Sequence, residues 1–183
     1  MKRKSIILIA LFFLIAVGVF IIYLKSQSLE LTKEEIEYLK QKETISFVSQ
    51  TRYPPFEFLS KDGAHIGMCI ELSQWIGSEM GFKTSFTDTS FVKAQNKVLS
   101  KEVDVLTSFF YSRERDVNFD FSVMMYEIPA SIFINTNSVG IDNLQDLEGK
   151  TITMQKGDYA EEFLHQEGID FTIIYTNDFG EAT

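Results

Sequence analysis

The 183-residue sequence predicts an α/β fold in two successive lobes, the second of them incomplete, standing behind an apolar N-terminal helix. Three observations carry this. Residues 6 to 24 are an unbroken apolar run. From Ile45 to Thr107 segments of strand and helix periodicity alternate, and a second alternation of the same kind follows Ile134 and stops at Thr183. With 45% hydrophobic and 23% charged residues, the material outside the apolar run is ordinary globular protein.

A run of 19 residues makes a helix of roughly 28 Å, close to the hydrocarbon thickness of about 30 Å. Cleaved signal peptides have a shorter apolar stretch, of about 7–15 residues, and small residues before the cut. Here the run continues into Tyr23-Leu24-Lys25-Ser26, with no such site. The expectation is an uncleaved, single-pass anchor over residues 6–24. Lys2, Arg3 and Lys4 precede it and Lys25 alone follows closely, which puts residues 1–5 in the cytoplasm and the rest outside. Beyond those four cations, 13 basic residues face 26 acidic ones, a net charge of −13. No basic patch remains to bind phosphate, which excludes a nucleic-acid partner. Cys69 stands alone, so no internal disulfide forms.

After the anchor, Thr32 and Glu35 make a capping box, with Leu31 and Ile36 placed as a hydrophobic staple, and start a lead-in helix ending near Lys42. Ile45 to Ser49 reads as a strand. Met68, Leu72, Trp75, Ile76 and Met80 recur at helical spacing, and Gly81 ends that helix. Phe82 to Thr87 is the next strand, Phe91 to Ser100 a helix and Val103 to Thr107 a short buried strand. This order implies a parallel sheet with ligands beyond the carboxyl ends of its strands. Tyr53-Pro54-Pro55-Phe56 is a fixed turn. A strand at Ala130 to Ile134 leads to the second unit: a short helix from Asp142 to Leu147, a strand at Thr151 to Gln155, a helix from Asp158 to Gln166, a strand at Phe171 to Tyr175, and a helix begun at Asp178. A lobe with two strands cannot cover both faces of its sheet, so the chain is expected to be the front portion of a longer one.

Several motifs stand in one order: Tyr53-Pro54-Pro55-Phe56-Glu57-Phe58, Asp62-Gly63 and Gly67, Val103-Asp104-Val105-Leu106, Ser112-Arg113-Glu114-Arg115, Phe121-Ser122, Asp146-Leu147-Glu148-Gly149-Lys150, and Lys156-Gly157. In that order and spacing the chain resembles the family 3 bacterial extracellular solute-binding proteins, which have a two-lobed, periplasmic-binding-protein-like (Venus flytrap) fold. The lead-in LTKEEIEYL and the segment Glu127-Ile128-Pro129 look most like the subset that serves as sensor domains of histidine kinases and diguanylate cyclases. The resemblance implies lobe 1 over residues 45–134 and a truncated lobe 2 over residues 135–183, behind a lead-in over residues 25–44. The hinge would lie near Ile134 to Asn137. It implies a small polar ligand, carboxylate-bearing or amino-acid-like, held between the lobes at the outer face of a bacterial cytoplasmic membrane. The partner would be a second copy of the chain or a downstream signalling domain. Solute capture for an ABC importer is the alternative, and a murein-cleaving or dehydratase enzyme on the same fold a third.

Arg115 matches the family arginine that grips a ligand carboxylate, a task suited to a planar guanidinium. Tyr53 follows the first strand, where an aromatic face can stack on a ligand, and Phe56 packs the turn. Gln50 takes a position where an amide can bond to an ammonium or a carboxylate. Phe91 is either the other wall of the pocket or a core residue at a helix start. The family offers backbone N–H groups and hydroxyls around Ser108 to Phe110. Phe110 replaces a common Ser or Thr there, and Asp158 caps its helix where the family has Thr or Ser, so that it would repel a carboxylate. Met124-Met125 leaves a more apolar edge.

No enzyme, cofactor or metal site is expected in this segment. His65 and His165 are the only histidines and lie apart, no Cys/His spacing suits zinc, and no phosphate loop or nucleophile turn is seen. The neighbouring acids Glu34-Glu35 and Glu161-Glu162 read as solvated helix faces.

Overall fold

The computed structural model describes Phe13 and residues 31–182. Among them no helix is long and apolar enough to cross a membrane, and apart from Phe13 the expected anchor at residues 6–24 lies outside them. The chain divides into two units, residues 1–41 and 42–183. In the first, helix α1 (Lys33–Lys42) starts at the expected capping box. The Thr32 N–H donates to Glu35 Oε2 at 2.7 Å and the Glu35 N–H to Thr32 Oγ1 at 3.2 Å, so two otherwise orphaned donors are satisfied. None of its residues is buried.

The second unit is built on strand β1 (Thr44–Gln50), in which Phe47 to Gln50 are buried in succession, the mark of a strand covered on both faces. Two short strands follow, β2 (Arg52–Tyr53) and β3 (Glu57–Leu59), and then β4 (His65–Ile66). Helix α2 (Met68–Met80) leads to β5 (Lys83–Thr89), and α3 (Phe91–Leu99) to β6 (Val105–Leu106). The sheet order is β5-β1-β6, all parallel, with Phe47 opposite Phe86 and Val48 opposite Leu106. This is the predicted alternation. The last strand is shorter than expected, yet the Asp104 N–H to Ser46 carbonyl and Thr107 N–H to Val48 carbonyl bonds, both 3.1 Å, continue its ladder.

On α2 the apolar stripe is not the buried face. Cys69, Ile70, Ser73 and Gly77 are buried, while Met68, Trp75 and Met80 are 52, 60 and 43% exposed. The reason is close approach: a Cβ on Gly77 would stand 2.8 Å from Thr84 Cγ2. Cys69, Ser73 and Gly77, four residues apart, form the small-residue seam that lets the helix lie on the sheet.

A small antiparallel sheet of order β2-β3-β4 was not foreseen. The Pro54-Pro55 peptide, which is cis, turns β2 into β3, and the Asp62-Gly63 turn leads to β4, with Gly63 at φ 82° donating to the Ser60 carbonyl at 3.0 Å. Strands of two or three residues leave too little alternation to read.

In the second lobe the short helix is a 3₁₀ turn at Leu144–Leu147, held by a capping box between Asn143 and Asp146. Strand β7 (Thr151–Gln155) pairs in parallel with β8 (Thr172–Thr176) across helix α4 (Tyr159–Gln166), and α5 (Phe179–Ala182) follows. Leu147, Met154, Leu164 and Ile169 form its core. The expected strand at Ala130 to Ile134 is irregular, because no described strand pairs with it, and Ile132, Phe133 and Ile134 are exposed. The expected hinge ends in a turn in which the Ser138 N–H donates to the Asn135 carbonyl at 2.8 Å.

Candidate functional site

The carboxyl end of β1 carries Gln50, only 5% exposed, and beyond it Tyr53. Glu57, on β3 and at 0% exposure, folds beneath them. Its carboxylate accepts from the Gln50 N–H at 2.8 Å and from the Thr107 hydroxyl. Burial pushes the Glu57 carboxyl above the ordinary glutamate value, and its bonds to Thr107 and Gln50 oppose this without cancelling it. The Ser108 hydroxyl lies near enough to favour the charged form, although Ser108 Oγ makes no hydrogen bond of good geometry. Gln50 Oε1 is likewise buried with no partner among the described residues. Burial, with Asp158 and Glu57 adding negative charge, pushes the Tyr53 phenol up to about 12. Its ring packs 5.1 Å from Phe56 and edge-on, 5.5 Å, to Phe179.

The second cluster surrounds Arg115, at the start of a 3₁₀ turn (Arg115–Val117). Its Nη1 donates to the Phe110 carbonyl at 3.3 Å and its Nη2 to the Gly157 carbonyl at 3.1 Å. Nε lies 3.3 Å from Glu162 Oε2, with the two side chains only 11 and 13% exposed. The guanidinium also covers the Phe109 ring at 4.5 Å. Burial lowers the Arg115 pKa, and Glu162 and Asp158 oppose that shift; the group stays a cation.

Arg115 therefore joins the first lobe to the loop and helix after β7. Two ring and amide contacts follow the same seam. Phe110 stacks on Tyr159 at 6.0 Å, and Gln95 Nε2 donates to the Gly157 carbonyl at 3.4 Å. Gly157 sits at φ 80°, and a Cβ there would meet Val92 Cγ2 at 3.0 Å and Gln95 Nε2 at 3.1 Å. Asp158 caps α4 as expected, accepting from the Ala160 N–H at 2.8 Å. At the far end of the seam Arg52 Nη1 lies 3.6 Å from Asp178 Oδ2.

The seven predicted residues thus fall into two groups. Gln50 and Ser108 gather at Glu57, with Tyr53 close by; Arg115, Phe110 and Asp158 meet at Gly157. Phe91, at 4% exposure, packs edge-on against Phe109, 5.9 Å away, which places it in the core beneath the second group. A groove of about 580 Å³ contains Arg115 and Asp158 but not Tyr53, Gln50, Ser108, Phe110 or Phe91, and is otherwise lined by Gln95, Glu114, Gly157, Glu161, Glu162, His165 and Gln166. Its three glutamate carboxylates, four with Asp158, face one guanidinium.

Glu161 and Glu162 are not a solvated face. Glu162 holds Arg115, and Glu161 accepts from the Tyr175 hydroxyl at 2.7 Å. Spacing hides this, since adjacent acids on a helix carry no mark of what the tertiary fold brings against them. Glu57 was missed as well, because alternation along Phe56-Glu57-Phe58 puts the acid on the outward face, and only the tertiary fold turns it inward. Among the described residues no group of three or more His, Cys, Asp or Glu could hold a metal.

Two parallel-sheet lobes meeting along a seam of aromatic and charged side chains define a two-lobed binding fold. Residues 45–177 match the model of the bacterial extracellular solute-binding proteins, family 3, and the chain belongs to that family. The arginine-binding extracellular protein ArtP of Bacillus subtilis is 33% identical over 111 residues, 60% of this chain and 43% of that protein. The L-cystine-binding protein TcyJ of Escherichia coli is 28% identical over 136 residues, 72% of this chain and 51% of that one. The chain spans about half the length of the curated relatives it matches. Among solved structures, an ancestral arginine-binding protein bound to glutamine superposes with a TM-score of 0.68 at 26% identity, over 76% of this chain and 63% of that one.

Proposed function

We propose that the chain binds a small amino-acid ligand between its two lobes, with Arg115 holding the ligand carboxylate and Tyr53 flanking its body. The observation that carries this is Gln50 Oε1, a buried acceptor at the carboxyl end of β1 with no partner among the described residues. A buried acceptor left unpaired costs about 1–3 kcal/mol, and a ligand ammonium, guanidinium or amide N–H would satisfy it. Arg115 has five N–H donors and directs three of them to protein acceptors, so two remain for a carboxylate. Ser108 offers a hydroxyl contact, Phe110 an aromatic wall, and Asp158 a negative charge close to both Tyr53 and Arg115. That charge favours a basic side chain on the ligand. The similarity to an arginine-binding and an L-cystine-binding protein supports an amino acid as the class.

In this proposal residues 6–24 anchor the protein in a bacterial cytoplasmic membrane, with the lobes on the outer side, as the sensing part of a signal-transduction protein. The apolar run and the lead-in helix support that reading. Solute capture for an importer is the second reading, and it is favoured by relatives whose names describe binding proteins. No catalytic step is assigned to the cleft.

The test is the thermal midpoint of the full chain in detergent against a panel of L-amino acids. Basic amino acids should raise it most, since a ligand at a hundred times its Kd adds about 2.7 kcal/mol. An unchanged midpoint across the panel would refute amino-acid binding.

A further inference from the structure

The guanidinium assigned to the ligand carboxylate already holds a carboxylate of the protein. Glu162 Oε2 stands 3.3 Å from Arg115 Nε, and both side chains are nearly nine-tenths covered. The remaining contacts come from both sides of the seam: the Phe110 carbonyl from the first lobe, the Gly157 carbonyl from the second, and the faces of Phe109 and Tyr159 at 4.5 and 5.6 Å. Glu162 is the fourth residue of α4, one turn beyond Asp158, which its own helix N-terminus engages through the Ala160 N–H. Of the two acids nearest Arg115, Asp158 is thus committed to its cap and Glu162 is committed to the arginine.

We propose that Glu162 is a specificity-determining residue of the cleft, an internal carboxylate bonded to Arg115 with which an incoming carboxylate must compete for the guanidinium charge. A charge-assisted bond to a guanidinium is strong when it is shielded from water, so an arginine already neutralised by Glu162 attracts a second carboxylate less than a lone arginine would. The ligand carboxylate therefore contributes weakly to affinity. Discrimination shifts to the other end of the ligand, where Gln50 Oε1 awaits a donor. The same pair ties the two lobes together, because Arg115 and Glu162 lie on opposite sides of the seam. The competition half of this inference rests on the amino-acid reading above; the coupling between Arg115 and Glu162 does not.

Two measurements on the full chain in detergent test it. In the absence of any ligand, urea unfolding of wild type, Arg115→Ala, Glu162→Gln and the double variant should show coupling of at least about threefold in the folding equilibrium constant. Additive effects would overturn the pairing. In calorimetry with L-glutamine, whose side chain is neutral, Glu162→Gln should bind about fivefold tighter than wild type, and Arg115→Ala should abolish that gain. Unchanged or weaker binding by Glu162→Gln would overturn the competition. If neither wild type nor Glu162→Gln bound L-glutamine, competition for Arg115 would fall with the amino-acid reading. The unfolding cycle would still decide whether the pair exists.

Discussion

Glu57, with no exposed surface, accepts a hydrogen bond from Thr107 across the end of the parallel sheet, and the two residues fasten the small β2-β3-β4 sheet to the floor of the cleft. The Gln50 N–H completes the arrangement at 2.8 Å. Because burial raises the Glu57 pKa in the folded chain above its unfolded value, the folded state holds the proton more tightly. Its contribution to stability is full below the unfolded glutamate value and is lost as pH rises through the folded one. Glu57→Gln should remove that falling component from a plot of urea-unfolding free energy against pH. An unchanged slope would show that the carboxyl does not titrate there.

Asp104 works with the opposite sign. Burial pushes its pKa up, but the Lys42 ammonium at 2.8 Å and the two Ser46 bonds, 2.9 Å from the N–H and 2.6 Å from the hydroxyl, bring it below the ordinary aspartate value. The stability it adds is present above the unfolded aspartate value and is lost as pH falls through the folded one. Asp104→Ala should cost about 1–3 kcal/mol near neutrality, from the lost bonds to the Ser46 N–H and hydroxyl. The deficit should shrink in acid, as measured by chemical denaturation at several pH values.

Gly67, at φ 121°, opens α2 where a Cβ would lie 2.4 Å from the Phe56 carbonyl oxygen. The Cys69 N–H donates to that same oxygen at 2.9 Å, so the carbonyl cannot move aside without losing a bond. Gly67→Ala should destabilise the chain by at least about 2 kcal/mol, from backbone strain and the clash together. Gly63, which also has positive φ but nothing near its Cβ position, is the control. Gly63→Ala should cost about 1 kcal/mol.

Cys69 is 2% exposed and hydrogen-bonds with the Tyr126 hydroxyl. Burial pushes its thiol up to about 11, with the Tyr126 bond opposing. A thiol of that kind is inert. Maleimide should label it only at the rate at which the chain opens, and promptly once urea unfolds it. Rapid labelling of the folded chain would contradict the buried placement.

The order of strands and helices was legible because β1, β5, β7 and β8 are long enough for their apolar pattern to show, and because α1 and α4 carry their capping residues Thr32 and Asp158 in sequence. What was not legible depended on partners distant along the chain. Trp75 and Met80 have the spacing of a core stripe, yet Gly77 decides the contact, and only the sheet reveals that. Ala130 to Ile134 has the composition of a strand, but among the described residues no strand pairs with it. In the cleft, the family pattern led to Arg115, Tyr53 and Gln50, and the departure at Asp158 was visible as a helix cap. Glu162 looked like a solvated acid because what matters about it is Arg115, 47 positions earlier in the sequence.

The central claim, that the seam at Arg115 is a ligand site, is tested most directly by titrating L-arginine into the full chain and into Arg115→Ala by calorimetry. Loss of a charge-assisted bond to the carboxylate, reduced by competition from Glu162, should still weaken binding by about 1 kcal/mol, roughly fivefold. Equal affinity in the two proteins would leave Arg115 as a structural bridge between the lobes and place the ligand elsewhere.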